Sequence, residues 1–102
     1  MKYVMSLLAA AVIAAPAIAA PDGATLYQEK TCWSCHGKDG KKTLTPAFPK
    51  VAGQNAAYAE QQMKDIKSGA RNNGQTAAMK GVMELVNDEE IKALAVYLST
   101  LK

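Results

Sequence analysis

The 102-residue sequence holds a single histidine, two cysteines, one tryptophan and one phenylalanine. A structural zinc site takes about four Cys or His ligands, commonly through a second C-x-x-C or a histidine pair. No such second cluster is present. No stretch alternates apolar and polar residues with period two for long enough to read as a strand, which removes the strand–helix–strand setting of a thioredoxin-like dithiol. Internal repeats and low-complexity segments are absent beyond residue 20. A large excess of one charge is missing as well: the formal net charge is +3, and the aromatic residues do not interleave with the basic ones. A nucleic-acid partner therefore has no electrostatic footprint here.

What is present begins with "MKYVMSLLAAAVIAAPAIAA". One basic residue, Lys2, precedes an apolar run that ends in Ala17-Ile18-Ala19, the order of a secretory signal peptide. An uncleaved membrane anchor is the alternative, since about 17–25 apolar residues can span a bilayer. Pro16 and the alanine-rich end suit a peptidase better than a stable span. The expected organisation is thus a signal peptide over 1–19 and one domain over 20–102, exported to the periplasm. Of the twelve Lys and Arg residues only Lys2 lies in the signal, leaving eleven against nine acidic residues, a net of +2. A domain of this size buries only about 60% of the surface its unfolded chain exposes, so a staple, metal or cofactor is expected to help hold it.

The pattern is helical throughout. "PDGATLYQEKTCWSC" reads as a first short helix capped by Asp22. A second runs from about Asn55 to Ser68, with Ala59, Met63 and Ile66 as a narrow apolar stripe and Gly69 placed to end it. A third starts at Asn87, with Glu90 three residues on, and puts Ile91, Leu94, Ala95, Leu98 and Leu101 on one face. Between Gly37 and Gly53, glycine, proline and lysine cluster into one long loop. The expected fold class is all-α, three to four short helices round something that fills the middle.

Both cysteines and the only histidine fall in "KTCWSCHGKDGKK", as Cys32, Cys35 and His36. A structural disulfide suits an exported chain, but two intervening residues close a loop too small to constrain the unfolded state much, and the bridge leaves His36 unexplained. C-x-x-C-H accounts for all three residues. The two thiols add across the vinyl groups of a haem and the adjacent imidazole takes an axial position on its iron. Three residues apart on a helical turn, the sulfurs lie on one side and reach neighbouring vinyls of one porphyrin.

On these residues the chain resembles the class I c-type cytochromes, in particular small mono-haem periplasmic ones and single domains of the tandem di-haem cytochromes. "GATLYQEKTCWSCHG" looks like the haem-attachment helix of that family, "FPKVAGQNAAYAEQQMKDIKSGAR" like its proline loop and middle helix, and "NDEEIKALAVYLSTL" like its closing helix. The resemblance implies a cytochrome c fold round one covalent haem c and a role in electron transfer instead of catalysis. It further implies that Gly23, Tyr27 and Tyr97 mark the crossing of first and last helices, and that the Pro49 carbonyl accepts the N–H of His36. Pro46 stands near enough to compete.

For the sixth ligand, Met63, Met79 and Met83 remain once the signal is removed. Met63 belongs to the apolar stripe, where methionine fills gaps. Met83 lies among Val82, Leu85 and Val86, a packed approach to the last helix. Met79 follows the small and polar residues of "NNGQTAAMKG", and its interval to "NDEEI" resembles the family's interval from ligand methionine to closing helix. Met79 is therefore the expected ligand, with His36 opposite, and Met83 the alternative.

The implied partners are redox proteins, a donor and an acceptor in the membrane or periplasm, with no nucleic acid and no small-molecule substrate, and the expected state is a monomer. Trp33 either helps a partner dock or covers haem surface. The lysines at 38, 41, 42, 50, 64 and 67 form either a docking ring or an ordinary solvated face. An open sixth position would instead make a haem enzyme or ligand sensor, with Arg71 in "ARNNG" the only candidate to polarise a bound ligand. An electron-entry subunit of a larger oxidase or reductase is the remaining alternative.

Overall fold

The structure, a computed structural model, describes residues 21–102; the expected signal peptide over 1–19 falls outside the described residues. Five helices follow one another and no strand occurs among the described residues: α1 (Gly23–Glu29), α2 (Cys32–His36), α3 (Ala56–Ser68), α4 (Thr76–Met83) and α5 (Asp88–Thr100). None is long and apolar enough to cross a membrane.

Two of the five differ from the sequence expectation. The first expected helix is broken in two, because Thr31 takes φ of 60°, a left-handed conformation that a β-branched residue rarely adopts. α1 ends at Glu29, and Thr31 restarts the chain as α2, with Ser34 Oγ donating to the Thr31 carbonyl at 2.8 Å. The haem-motif residues thereby sit on a five-residue helix aimed independently of α1. The second difference is α4, to which the sequence pattern assigned no helix. It has no side-chain N-cap and carries Gly81 in its interior, so its start signal is weak and its propensity low.

The remaining helix ends follow the sequence closely. Asp22 Oδ2 accepts from the Thr25 amide at 3.2 Å and from its hydroxyl at 2.7 Å, opening α1. Asn55 Oδ1 accepts from the Tyr58 amide at 3.1 Å, and Gly69, with φ of 87°, closes α3 in the left-handed turn that glycine adopts without steric cost. α5 opens on a reciprocal capping box. Asn87 Oδ1 accepts from the Glu90 amide at 2.8 Å, and Glu90 Oε1 accepts from the Asn87 amide at 3.0 Å. Asp88, Glu89 and Glu90 all lie in the first turn, where the helix dipole favours negative charge. Replacing Asn87 by alanine should cost about 0.5–2 kcal/mol of stability. A thermal or denaturant melt of Asn87→Ala checks this, and an unchanged melt would reject the cap.

α5 is the spine of the packing. Its buried residues Ile91, Leu94, Ala95 and Leu98 meet α1 on one side and α3 on the other. α1 crosses it at Gly23, where any Cβ would collide with the Ala93 carbonyl and Tyr97 Cβ. One turn on, the rings of Tyr27 and Tyr97 pack with centroids 5.6 Å apart and planes tilted by 52°. α3 contributes Ala59, Met63 and Ile66 to the same core, and Met83 and Val86 complete it from α4 and the turn beyond. Leu101 lies past the end of α5 and is only partly buried.

The loop from Gly37 to Asn55 has no regular structure, yet it is tied down. Asp39 Oδ1 accepts the amides of Lys41 and Lys42 at 2.9 and 3.0 Å, which hold its carboxyl below the usual carboxylate range, the Lys42 amide most. The Leu44 amide donates to the Cys35 carbonyl, and the Gly53 amide to the Leu98 carbonyl, each at 2.9 Å. The loop is thus stitched to α2 at one end and to α5 at the other.

Candidate functional site

A cavity of about 430 Å³ opens between α2, this loop, α3 and α4. Cys32, Cys35 and His36 enter its wall from α2, Phe48, Pro49 and Val51 from the loop, and Ala59, Met63 and Ile66 from α3. Met79 and Val82 line it from α4, with Leu94 and Leu98 behind them on α5. The apolar stripe of α3 therefore has two duties: part of it packs on α5 and part faces the cavity. A space of this size falls within the range of small-molecule and cofactor sites, about 300–1,000 Å³.

His36 is 8% exposed, and its Nδ1 lies 2.8 Å from the Pro49 carbonyl oxygen. A carbonyl can only accept, so Nδ1 carries a proton and Nε2 is the ring nitrogen left unengaged by Pro49. Among the described residues Nε2 has no hydrogen-bond partner. The ring is thereby held in one orientation on the cavity wall. Pro46, the competing proline, makes no such contact with His36.

Cys32 and Cys35 are both free and half-buried. Burial pushes the Cys32 thiol up to about 11. A thiol so reluctant to ionise is a poor match to dithiol exchange, which depends on a stabilised thiolate. Among the described residues no group of three or more His, Cys, Asp and Glu side chains could hold a metal ion.

The three methionines separate in space. Met79 is half-buried and lines the cavity from α4. Met83, one turn later on the same helix, is 1% exposed and packs into the core away from the cavity wall. Met63 is buried on α3 and contributes both to the core and to the wall. Of the expected neighbours of Met83, Val86 is buried but Leu85 is 70% exposed.

Other side chains take places that composition could not assign. Arg71 lines the cavity and donates to Gln62 Oε1 at 3.2 Å, so it belongs to the wall of the site. Gln62 and Thr76, also in the wall, have no sequence signature of their own. Trp33 is 39% exposed and lies outside the wall. Lys64 pairs with Glu60 at 3.6 Å, and Lys67 turns inward to donate to the Val86 carbonyl, which removes it from any solvated lysine ring.

Two thiols three residues apart with an imidazole directly after them, on one largely apolar cavity, fit the covalent attachment of a haem. Residues 20–102 match the family described as Cytochrome c. The chain belongs to the cytochrome c family.

Cytochrome c-553 of Nitratidesulfovibrio vulgaris is 38% identical over 98 residues, covering 96% of this chain and 94% of its own length. Cytochrome c4 of Pseudomonas aeruginosa is 35% identical over 102 residues, covering 99% of this chain and 49% of the relative. Among solved structures, reduced recombinant cytochrome c4 from Pseudomonas stutzeri superposes with a TM-score of 0.68 at 33% identity, over 78% of this chain and 46% of that one. This chain thus spans about half the length of the cytochrome c4 relatives and nearly all of the cytochrome c-553. The all-helical fold is the cytochrome c fold, the cofactor is a covalently bound haem c, and the protein is an electron-transfer cytochrome of class I.

Proposed function

We propose that this cytochrome is a periplasmic, mono-haem electron carrier with histidine–methionine ligation, exported after removal of residues 1–19. In this reading Cys32 and Cys35 bear the thioether links and His36 Nε2 is one axial ligand. Met79 is the other, and the Pro49 carbonyl holds His36 in its tautomer. The observation that carries it is the His36–Pro49 contact of 2.8 Å, which leaves Nε2 free on a wall that also holds both thiols and Met79. The bound haem supplies the one-electron ferric–ferrous couple. The protein's part is to fix both ligands, line the pocket with Ala59, Ile66, Leu94 and Leu98 so that water is excluded, and leave an edge for electrons to enter and leave. Fixed ligands in both oxidation states keep reorganisation small. Its partners in this reading are redox proteins of a respiratory chain, and it works as a monomer.

Denaturation in acidified organic solvent tests the attachment: haem should stay with the polypeptide, and its extraction with free thiols left behind would overturn the assignment. Carbon monoxide tests the ligand set. A carrier stays low-spin in both redox states and takes up none, whereas uptake by the native ferrous protein would favour an enzyme or sensor with an open position.

A further inference from the structure

α4 is weakly anchored for a helix that bears on the site. It packs against α3 and against no other described helix, it has no side-chain cap at its start, and Gly81 weakens its interior. Yet it carries Met79. What holds its far end is the turn Glu84–Asn87, and that turn is gripped from two sides by lysines.

Lys30, at the end of α1, donates to the Leu85 carbonyl at 2.9 Å and pairs with Glu90 Oε2 at 3.5 Å. Lys67, in the last turn of α3, donates to the Val86 carbonyl. Neither carbonyl takes a backbone hydrogen bond among the described residues, so the two ammonium groups are their protein partners. Glu90 also closes the capping box on Asn87, which links the lysine grip to the start of α5. One four-residue turn is thereby tied to α1, α3 and α5 by charge-assisted hydrogen bonds, the stronger kind. Cations at this end also suit the dipole of α4, whose C-terminus is its negative pole.

We infer that Lys30 and Lys67 are positioning residues for Met79: by clamping the turn after α4, they hold the thioether on the cavity wall. This rests on the reading of Met79 as the sixth ligand. Neither lysine touches the cavity, and both act through the backbone of Leu85 and Val86. Freed of them, α4 would swing on its single face of contact with α3, and the methionine would yield its place to a competing ligand more readily.

Imidazole titration of the ferric holoprotein measures how easily the thioether is displaced. Loss of one such bond in Lys67→Met should raise imidazole affinity about tenfold, the equivalent of about 1.4 kcal/mol, and weaken the thioether-to-iron absorption band. Lys67→Arg, which keeps the donor and the charge, should restore both. Lys30→Met carries the same test from the outer side and serves if Lys67→Met does not fold. Lys92→Met, an exposed lysine of α5, should change neither readout. Ile91→Val, which loosens the core without touching the clamp, should lower the melting temperature but leave imidazole affinity within about twofold, well inside the effect of one charge-assisted bond. Unchanged affinity in both Lys67→Met and Lys30→Met would overturn the clamp if Met79→Ala raises it. Equal increases in Ile91→Val would overturn it too, by reducing it to general loosening. If Met79→Ala itself leaves affinity unchanged, the ligand assignment falls, and the clamp with it.

Discussion

Met79→Ala should abolish the ferric thioether-to-iron absorption band, open the ferrous iron to carbon monoxide and lower the reduction potential. Thioether ligation opposite histidine raises the potential of a haem, and axial ligands between them span about 0.8 V, so the fall should be large against any surface substitution. The neighbouring substitution behaves differently. Met83 is 1% exposed in the buried core, so Met83→Ala should cost about 2–5 kcal/mol through lost burial and the cavity left behind. Its absorption band should persist in the folded fraction. Optical spectra, a redox titration and a melt on the two variants decide between them. A band lost in Met83→Ala and kept in Met79→Ala would transfer the ligand role to Met83.

A variant unable to attach haem should fail to fold. In Cys32→Ala/Cys35→Ala the apolar walls from α3, α4 and α5 would enclose about 430 Å³ with nothing covalently held in it. As a dry void that volume would cost about 10 kcal/mol at roughly 24 cal/mol per Å³. Small domains have about 5–15 kcal/mol in total, so no such void is tolerable, and flooding it wets the apolar face of α3 instead. The far-UV circular dichroism of the double variant at 25 °C should show most of the helix signal gone. Native helix content and a cooperative melt without haem would mean that the α1–α5 crossing and the α3–α5 contact suffice alone.

These expectations were unequally visible beforehand. C-x-x-C-H is a contiguous run, so chemistry alone could pick out Cys32, Cys35 and His36. The helices α3 and α5 carry their own start and stop residues, Asn55 with Gly69 and Asn87 with Glu90, and their caps form as local hydrogen bonds. α4 could not be read that way. It has eight residues, no cap and an internal glycine, and it is helical because its apolar side packs on α3. The break at Thr31 is similar: nothing in "EKTC" marks it, and the left-handed residue is tolerated because α1 must lie on α5 while α2 must face the cavity.

The sequence by itself determined the helical class, the caps and the attachment motif, because each depends on residues within about one helical turn of one another. Only the tertiary structure decided which proline carbonyl meets His36, that Met63 and Met79 but not Met83 reach the cavity, and what the lysines do. Those are contacts across 13 residues for His36 and Pro49, 19 for Lys67 and Val86, and 55 for Lys30 and Leu85. Local periodicity carries no information over such separations. They are set by how α1 and α3 pack on α5, and α4 on α3, around a space that the chain alone does not fill.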